Sequence, residues 1–206
     1  MGKFIIEPMF KRLFGRKSQP IIIVSGLPRS GTSMMMKMLE AGGVPIVQDG
    51  IRTANSDNPK GYYEFERVKQ LPKGDDSWLA DASGKAVKVI TALLKHLPDK
   101  YEYKVLVMRR ELDEVIASQA KMLVNRSAEK KVDDAQLKIL YSKHLRETEV
   151  WLRQQKNVTF HNVPYRDLVN NPQTQLPPII QFLDRGLKLQ PMAAIVDPSL
   201  YRNRQE

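Results

Sequence analysis

A short segment with two glycines, GLPRSGTS at residues 26–33, has the composition of an anion-binding loop. Gly26 and Gly31 allow the backbone to turn tightly, so that successive N–H groups point into one concavity. An apolar run precedes the segment and strong helix formers follow it. A phosphate in this concavity would also face the positive end of the helix dipole. The sequence therefore predicts a phosphate-binding turn between a strand and a helix.

The loop departs at one position from the phosphate-binding motif of nucleoside triphosphatases, G-x-x-x-x-G-K-[ST]. Thr32 occupies the position of the lysine, which in that motif reaches the β- and γ-phosphates. The change argues against ordinary hydrolysis of ATP or GTP, although Arg29 restores a cation inside the loop. A small-molecule kinase with an atypical loop is one alternative. It would require Mg²⁺ and a carboxylate to hold the metal.

A second segment carries two groups suited to a phosphate dianion. The apolar run at residues 105–108 is followed by Arg109 and Arg110, and Ser118 stands on the next predicted helix. A guanidinium offers a fork of N–H donors and the hydroxyl adds another, a combination that matches phosphate oxygens. Taken alone, Arg110 would more simply form a surface salt bridge.

The two segments together resemble those of sulfotransferases that use 3′-phosphoadenosine 5′-phosphosulfate. In that family the loop typically reads Pro-Arg/Lys-Ser/Thr-Gly-Thr-Thr/Ser, and residues 28–33 agree at every position. A strand of the family ends in an arginine, and a serine follows eight residues later. Arg110 and Ser118 share this spacing. The resemblance covers residues 21–204.

The resemblance implies a set of residues that bind the sulfuryl donor. Arg110 and Ser118 would hold its 3′-phosphate. Tyr165 would flank the adenine, unless it is a tyrosine of the core. Arg202, in the basic stretch at residues 196–204, would close over the 3′-phosphate unless that stretch is a solvated tail. The phosphosulfate would be bound by the loop residues Arg29, Ser30, Gly31, Thr32 and Ser33.

Sulfuryl transfer needs cations that stabilise the departing phosphate oxygen and a base that takes the acceptor proton. Arg29 and Lys88 are the expected cations, although a lysine at a strand end can also snorkel to solvent. Residues 88–90 read Lys-Val-Ile where cytosolic small-molecule members of the family carry Lys-Thr-His. The histidine base of that branch is therefore replaced here by Ile90.

The resemblance implies a carboxylate base instead. The segment NPKGYYE at residues 58–64 resembles one found in bacterial sulfotransferase-like proteins and places Glu64 in this role. Asp49, in a Gln-Asp-Gly sequence, is a second candidate, and a turn residue is its simpler role. A carboxylate that caps a helix start is the simpler role of Glu64. The predicted catalytic set is Arg29, Glu64 and Lys88.

Apolar runs and periodic apolar residues alternate along the chain. The runs predict strands at residues 21–25, 44–47, 86–90, 103–108 and 158–163. The periodic stretches predict helices over residues 34–41, from 111 onward, over 137–152 and over 171–183, the last with Pro177 and Pro178 in its first turn. Such alternation favours an α/β protein. We expect a P-loop-like three-layer fold with a central parallel sheet flanked by helices.

Composition limits the classes of protein that this chain can represent. Its 206 residues suit one domain, and we assign residues 20–206 to it. The absence of cysteine excludes a disulfide scaffold, a cysteine zinc site, an iron–sulfur cluster and a thiol nucleophile. The histidines are scattered, so no metal is expected. The net charge of +10 suits an anionic partner, and the expected compartment is the cytoplasm.

Residues 1–19 form a separate basic segment with apolar residues interspersed. It could make a weak contact with a membrane surface, or dock on the body or fray. Two further alternatives are non-catalytic: a protein that binds nucleic acid or a membrane through this segment, and a protein of sulfotransferase fold that binds a nucleotide or anion without turnover. We expect no nucleic-acid partner. The expected acceptor is a small molecule or polymer that bears a hydroxyl or an amine. Because the chain is short for a sulfotransferase, a second subunit could complete the acceptor pocket, in a homodimer.

Overall fold

The computed structural model describes residues 18–51, 61–125 and 132–197. In the described residues the strands are β1 (Ile21–Gly26), β2 (Ala86–Lys88), β3 (Tyr103–Arg109) and β4 (Val158–Pro164). The α-helices are α1 (Thr32–Ala41), α2 (Leu112–Asn125), α3 (Asp134–Gln154), α4 (Tyr165–Asn170), α5 (Pro172–Leu183) and α6 (Leu189–Ala193). The described ranges also contain three 3₁₀ helices, at Glu66–Lys73, Ser77–Ala82 and Thr91–His96.

The strands form one parallel sheet in the order β2-β1-β3-β4. Ile23 pairs with Val87 on one side of β1, and Val24 pairs with Leu106 on the other. Since all strands run the same way, their carboxyl ends lie at one edge of the sheet. This edge carries the loop after β1, Lys88 at the end of β2 and Arg110 just after β3. The predicted α/β fold with a central parallel sheet is confirmed.

Each face of the sheet is covered by its own apolar core. Alternate β1 residues point to opposite faces, as the period of a strand requires. Ile22 and Val24 pack with α1, α4, α5 and α6. Ile21 and Ile23 pack with the 3₁₀ helices and with Leu152 of α3. Full burial of such a side chain contributes about 1.5–3 kcal/mol of stability. The apolar run at residues 21–24 therefore stabilises the packing on both faces of the sheet.

Three details of the sequence prediction are wrong. The expected strand at residues 44–47 is reduced to a single bridge between Ile46 and Ala86, beside Pro45, which has no N–H to donate. The strand expected to reach Ile90 ends at Lys88, because the chain turns into the 3₁₀ helix at Thr91–His96. Pro177 and Pro178 lie in the interior of α5, since Pro172 already occupies the first turn of that helix.

A membrane contact was predicted for the segment at residues 1–19, of which residues 1–17 lie outside the described residues. Within the described ranges, every helix is too short or too polar to cross a bilayer.

Candidate active site

The loop after β1 turns sharply in a conformation that favours glycine. Gly31 caps the start of α1 with φ 98°, in the left-handed region. A Cβ atom at this position would lie 2.6 Å from Cε2 of the Tyr165 ring. Arg29 also has a positive φ, at 71°. The loop is thus folded tightly against Tyr165, and it leads directly into Thr32 and Ser33 at the start of α1.

The buried Ser30 hydroxyl lies inside this loop. A Cβ atom on Gly26 would collide with Ser30 Oγ and would approach the Met108 carbonyl oxygen to 3.1 Å. Ser30 Oγ has no hydrogen-bond partner among the described residues. A buried hydroxyl without a partner is costly, and at this position it lies in the predicted phosphate-binding turn.

Four of the predicted donor-binding side chains meet on the β3 side of the loop. Arg29 Nε donates a hydrogen bond of 3.0 Å to Ser118 Oγ on α2. Arg110 Nη1 donates to the backbone carbonyl of Arg29 over 3.1 Å. The Arg110 guanidinium also lies 4.6 Å from the centroid of the Tyr165 ring, as in a cation–π contact. The structure therefore brings Arg29, Arg110, Ser118 and Tyr165 into one cluster.

A buried carboxylate, Glu114, holds Arg110 in place. Arg110 Nε donates to one Glu114 oxygen over 2.9 Å, and Arg166 Nη2 donates to the other over 3.1 Å. Glu114 is only 1% exposed. The sequence did not lead us to predict a role for Glu114. The available signal was its position on a helix, four residues after Arg110.

The predicted catalytic pair meets on the opposite side of the loop, at the end of β2. Lys88 Nζ lies 3.6 Å from Glu64 Oε1, and the two side chains are 8% and 22% exposed. Lys88 Nζ also donates to the Tyr62 carbonyl oxygen and lies 3.4 Å from Ser33 Oγ. Ser33 Oγ donates to the same Tyr62 carbonyl over 3.2 Å. A cation, a carboxylate and a hydroxyl are thus clustered where α1 begins.

Much of the chain matches the sequence model of one protein family. Residues 51–189 match the sequence model described as the Sulfotransferase family. The chain belongs to the sulfotransferase family. The matched range begins after the glycine loop, and it includes Glu64, Lys88, Arg110 and Ser118. No curated protein matches the chain.

Solved sulfotransferase structures share the fold. The sulfotransferase domain from the curacin biosynthetic pathway is 20% identical, with a TM-score of 0.53 over 88% of this chain and 89% of that one. The sulfotransferase domain of the Synechococcus PCC 7002 olefin synthase is 15% identical, with a TM-score of 0.51 over 92% and 86%. A sulfotransferase from Mycobacterium tuberculosis H37Rv is 16% identical, with a TM-score of 0.56 over 85% and 71%.

In this member of the family, Asp49 has the geometry of a turn residue. Its carboxylate accepts hydrogen bonds from the backbone N–H groups of Glu66, over 2.6 Å, and Ile51, over 3.0 Å. The bond from Glu66, followed by that from Ile51, holds the pKa of Asp49 below its ordinary value. A low pKa makes a carboxylate a weaker general base. Of the two candidates, Glu64 is the one that contacts Lys88.

Tyr165 and Arg202 are the two further residues predicted to bind the donor. Tyr165 is buried in the core beneath the loop, with its ring against both Gly31 and Arg110. Arg202 lies outside the described residues. In the part of the chain that the structure describes, no three His, Cys, Asp or Glu side chains are grouped as a metal site would require.

Proposed function

We propose that this sulfotransferase moves a sulfuryl group from 3′-phosphoadenosine 5′-phosphosulfate to a hydroxyl or amine acceptor. The observation that carries the proposal is the position of the glycine loop between two polar clusters. Arg29, Arg110 and Ser118 lie on its β3 side, and Lys88 with Glu64 on its β2 side. A donor with phosphate at one end and phosphosulfate at the other requires such a pair of sites.

The donor set fits a polyanionic nucleotide. Arg29, Arg110 and Lys88 supply cations, while Ser118 and the buried Ser30 supply hydroxyls. Guanidinium groups match phosphate oxygens in geometry, and the N-terminus of α1 favours negative charge. Arg110 and Ser118 would hold the 3′-phosphate, and the loop would hold the phosphosulfate.

When bound, the donor supplies a sulfur centre whose bond to the 5′-phosphate oxygen breaks as a bond to the acceptor oxygen or nitrogen forms. In this proposal Glu64 takes the proton that the acceptor loses, and its contact with Lys88 beside the loop supports the role. Lys88 and Arg29 stabilise the negative charge that develops on the departing bisphosphate. Lys88 also holds the backbone carbonyl of Tyr62, which keeps the segment before Glu64 in place.

The donor assignment is tested by thermal unfolding with added nucleotides. Adenosine 3′,5′-bisphosphate, the product left after transfer, should raise the melting temperature, whereas ADP and GTP should not. A ligand at about 100 times its dissociation constant adds about 2.7 kcal/mol of stability, which a melting curve resolves easily. Stabilisation by ADP or GTP but not by the bisphosphate would contradict the assignment and favour the kinase alternative.

The catalytic assignment is tested with the substitution Glu64→Gln. Transfer of labelled sulfuryl groups to a panel of hydroxyl and amine acceptors should fall about 10²–10⁴-fold, because general base catalysis is lost. Stabilisation by the bisphosphate should persist. Glu147→Gln is a matched control, since Glu147 is an exposed carboxylate 3.8 Å from Lys143 on α3. Equal rates in wild type and Glu64→Gln would exclude Glu64 as the base.

A further inference from the structure

A hydrogen bond ties the residue before Glu64 to the helix that follows the glycine loop. The Tyr63 hydroxyl donates to Glu40 Oε2 over 2.6 Å. Glu40 lies near the end of α1, and Tyr63 packs against the core beneath that helix. Burial, followed by the nearby Glu40 carboxylate, raises the pKa of the Tyr63 phenol well above its ordinary value. The phenol therefore stays protonated and remains a donor throughout the neutral pH range.

Two side chains on one face of α1 form hydrogen bonds with Tyr62 and Tyr63, the residues just before Glu64. Ser33 and Glu40 are seven residues apart, close to two helical turns, so they share a face. Ser33 Oγ donates to the Tyr62 carbonyl, and Glu40 accepts from the Tyr63 hydroxyl. The next residue is Glu64, whose carboxylate contacts Lys88. The helix that begins at the loop thereby sets where this carboxylate lies.

The backbone at Tyr63 adopts a conformation that tyrosine rarely adopts. Its φ of 53° is in the left-handed region, which costs a non-glycine residue on the order of 1–3 kcal/mol. Gly61, two residues earlier, also has a positive φ, of 87°. Such a conformation persists only where surrounding contacts hold it, and the bond to Glu40 is one of these contacts. The strain is stored directly beside the proposed base.

We propose that Tyr63 is a positioning residue for this reaction: through its hydrogen bond to Glu40 it fixes the Glu64 carboxylate beside Lys88. The inference rests on the proposed function, in which Glu64 takes the acceptor proton. It assigns no contact with the donor or the acceptor to Tyr63 or Glu40. Loss of the bond should therefore lower kcat and leave binding of the donor unchanged.

The substitution Tyr63→Phe removes the hydroxyl and keeps the ring. We expect kcat to fall about 10- to 100-fold, the cost of a base displaced by an ångström, while the KM of the donor changes less than about twofold. In a Glu64→Gln background the same substitution should lower kcat no further, because the group that it positions is already gone. Glu40→Ala should reproduce the effect. Glu40→Gln, which keeps an oxygen acceptor, should largely restore the rate.

Tyr141→Phe is the matched control, because the Tyr141 hydroxyl donates to Gln119 over 2.7 Å between α3 and α2. It removes a comparable hydrogen bond away from Glu64 and should leave kcat unchanged. Equal effects of Tyr63→Phe on kcat in the wild-type and Glu64→Gln backgrounds would show a general structural role and overturn the proposal.

Crystal structures of wild type and Tyr63→Phe provide a readout that needs no activity. In wild type we expect the Glu64 carboxylate within about 4 Å of Lys88 Nζ, the limit for an ion pair, and in the variant a displaced carboxylate. An unmoved carboxylate in Tyr63→Phe and in Glu40→Ala would overturn the inference even if transfer itself is confirmed. If the Glu64 carboxylate is displaced in Tyr63→Phe but the wild-type protein transfers no sulfuryl group, the positioning role is supported and the proposed function is contradicted.

Discussion

The Lys88 ammonium and the Glu64 carboxylate lie 3.6 Å apart at the carboxyl end of β2. Both side chains are largely removed from water, which costs solvation free energy that an ion pair recovers only with further polar contacts. Here those contacts are the Tyr62 carbonyl and the Ser33 hydroxyl. Such arrangements contribute little net stability, which supports the catalytic role proposed for the pair.

Replacement of Lys88 by methionine should lower kcat about 10²–10³-fold, because the developing charge on the bisphosphate loses a buried cation. The measurement is the initial rate of sulfuryl transfer at saturating donor. Lys104→Met is the matched control, since Lys104 is half-buried and likewise donates to a backbone carbonyl, that of Leu183, over 3.0 Å. A Lys88→Met enzyme with the wild-type kcat would remove Lys88 from the mechanism.

Ser118→Ala should weaken binding of adenosine 3′,5′-bisphosphate about tenfold or more, because a hydrogen bond to a charged group contributes about 1.5–3 kcal/mol. Binding of adenosine 5′-phosphate, which lacks the 3′-phosphate, should weaken much less, through the lost contact between Ser118 and Arg29 alone. Isothermal titration with the two nucleotides measures both. Ser77→Ala is the control, as Ser77 accepts from Arg67 over 2.7 Å in another arginine–serine pair. Equal weakening of both nucleotides would place Ser118 elsewhere than at the 3′-phosphate.

Gly31→Ala should destabilise the fold more than Gly74→Ala. Both glycines have positive φ, 98° and 85°, so each substitution costs about 1–2 kcal/mol in the backbone. At Gly31 the new Cβ also overlaps the Tyr165 ring, which adds about 1–3 kcal/mol, whereas at Gly74 no atom lies within 4 Å. Urea unfolding at constant pH measures the difference. Equal decreases in the free energy of unfolding for the two variants would mean that the Tyr165 ring is not in close contact with the loop.

The strand β1 and the glycine turn after it were predictable because both leave local signals in the sequence. The β-branched run at Ile21–Val24 is typical of a strand buried on both faces, and Gly26 and Gly31 mark the turn that follows. The resemblance also pointed to Lys88 and Glu64 as site residues. They are 24 residues apart in the chain and are in contact in the structure.

The parts that were missed depend on contacts distant in sequence. The 3₁₀ helices at Glu66–Lys73 and Ser77–Ala82 are short, the first contains Pro72, and their buried residues pack into the core beside β1. The bond between Tyr63 and Glu40 joins a loop to a helix, and neither residue stands out in the sequence. The packing of Tyr165 on Gly31 likewise arises only when α4 and the loop are brought together.

The stability of the protein should fall as the pH is lowered below about 6.5, in part through His161. His161 lies on β4 with its ring stacked on Phe182, 5.5 Å between centroids. Burial lowers the pKa of His161 below its ordinary value of 6.5. Between the folded-state pKa and 6.5 the unfolded chain therefore binds more protons than the folded one, so the free energy of unfolding decreases as the pH falls through this window. Above the window both states carry a neutral imidazole and this contribution is constant.

His161→Phe keeps a ring against Phe182 and removes the titrating group, so the free energy of unfolding should depend less steeply on pH. One group contributes at most about 1.4 kcal/mol per pH unit, and urea unfolding at several pH values down to about 5 measures the slope. Parallel curves for wild type and His161→Phe would show that the pH dependence arises from other groups.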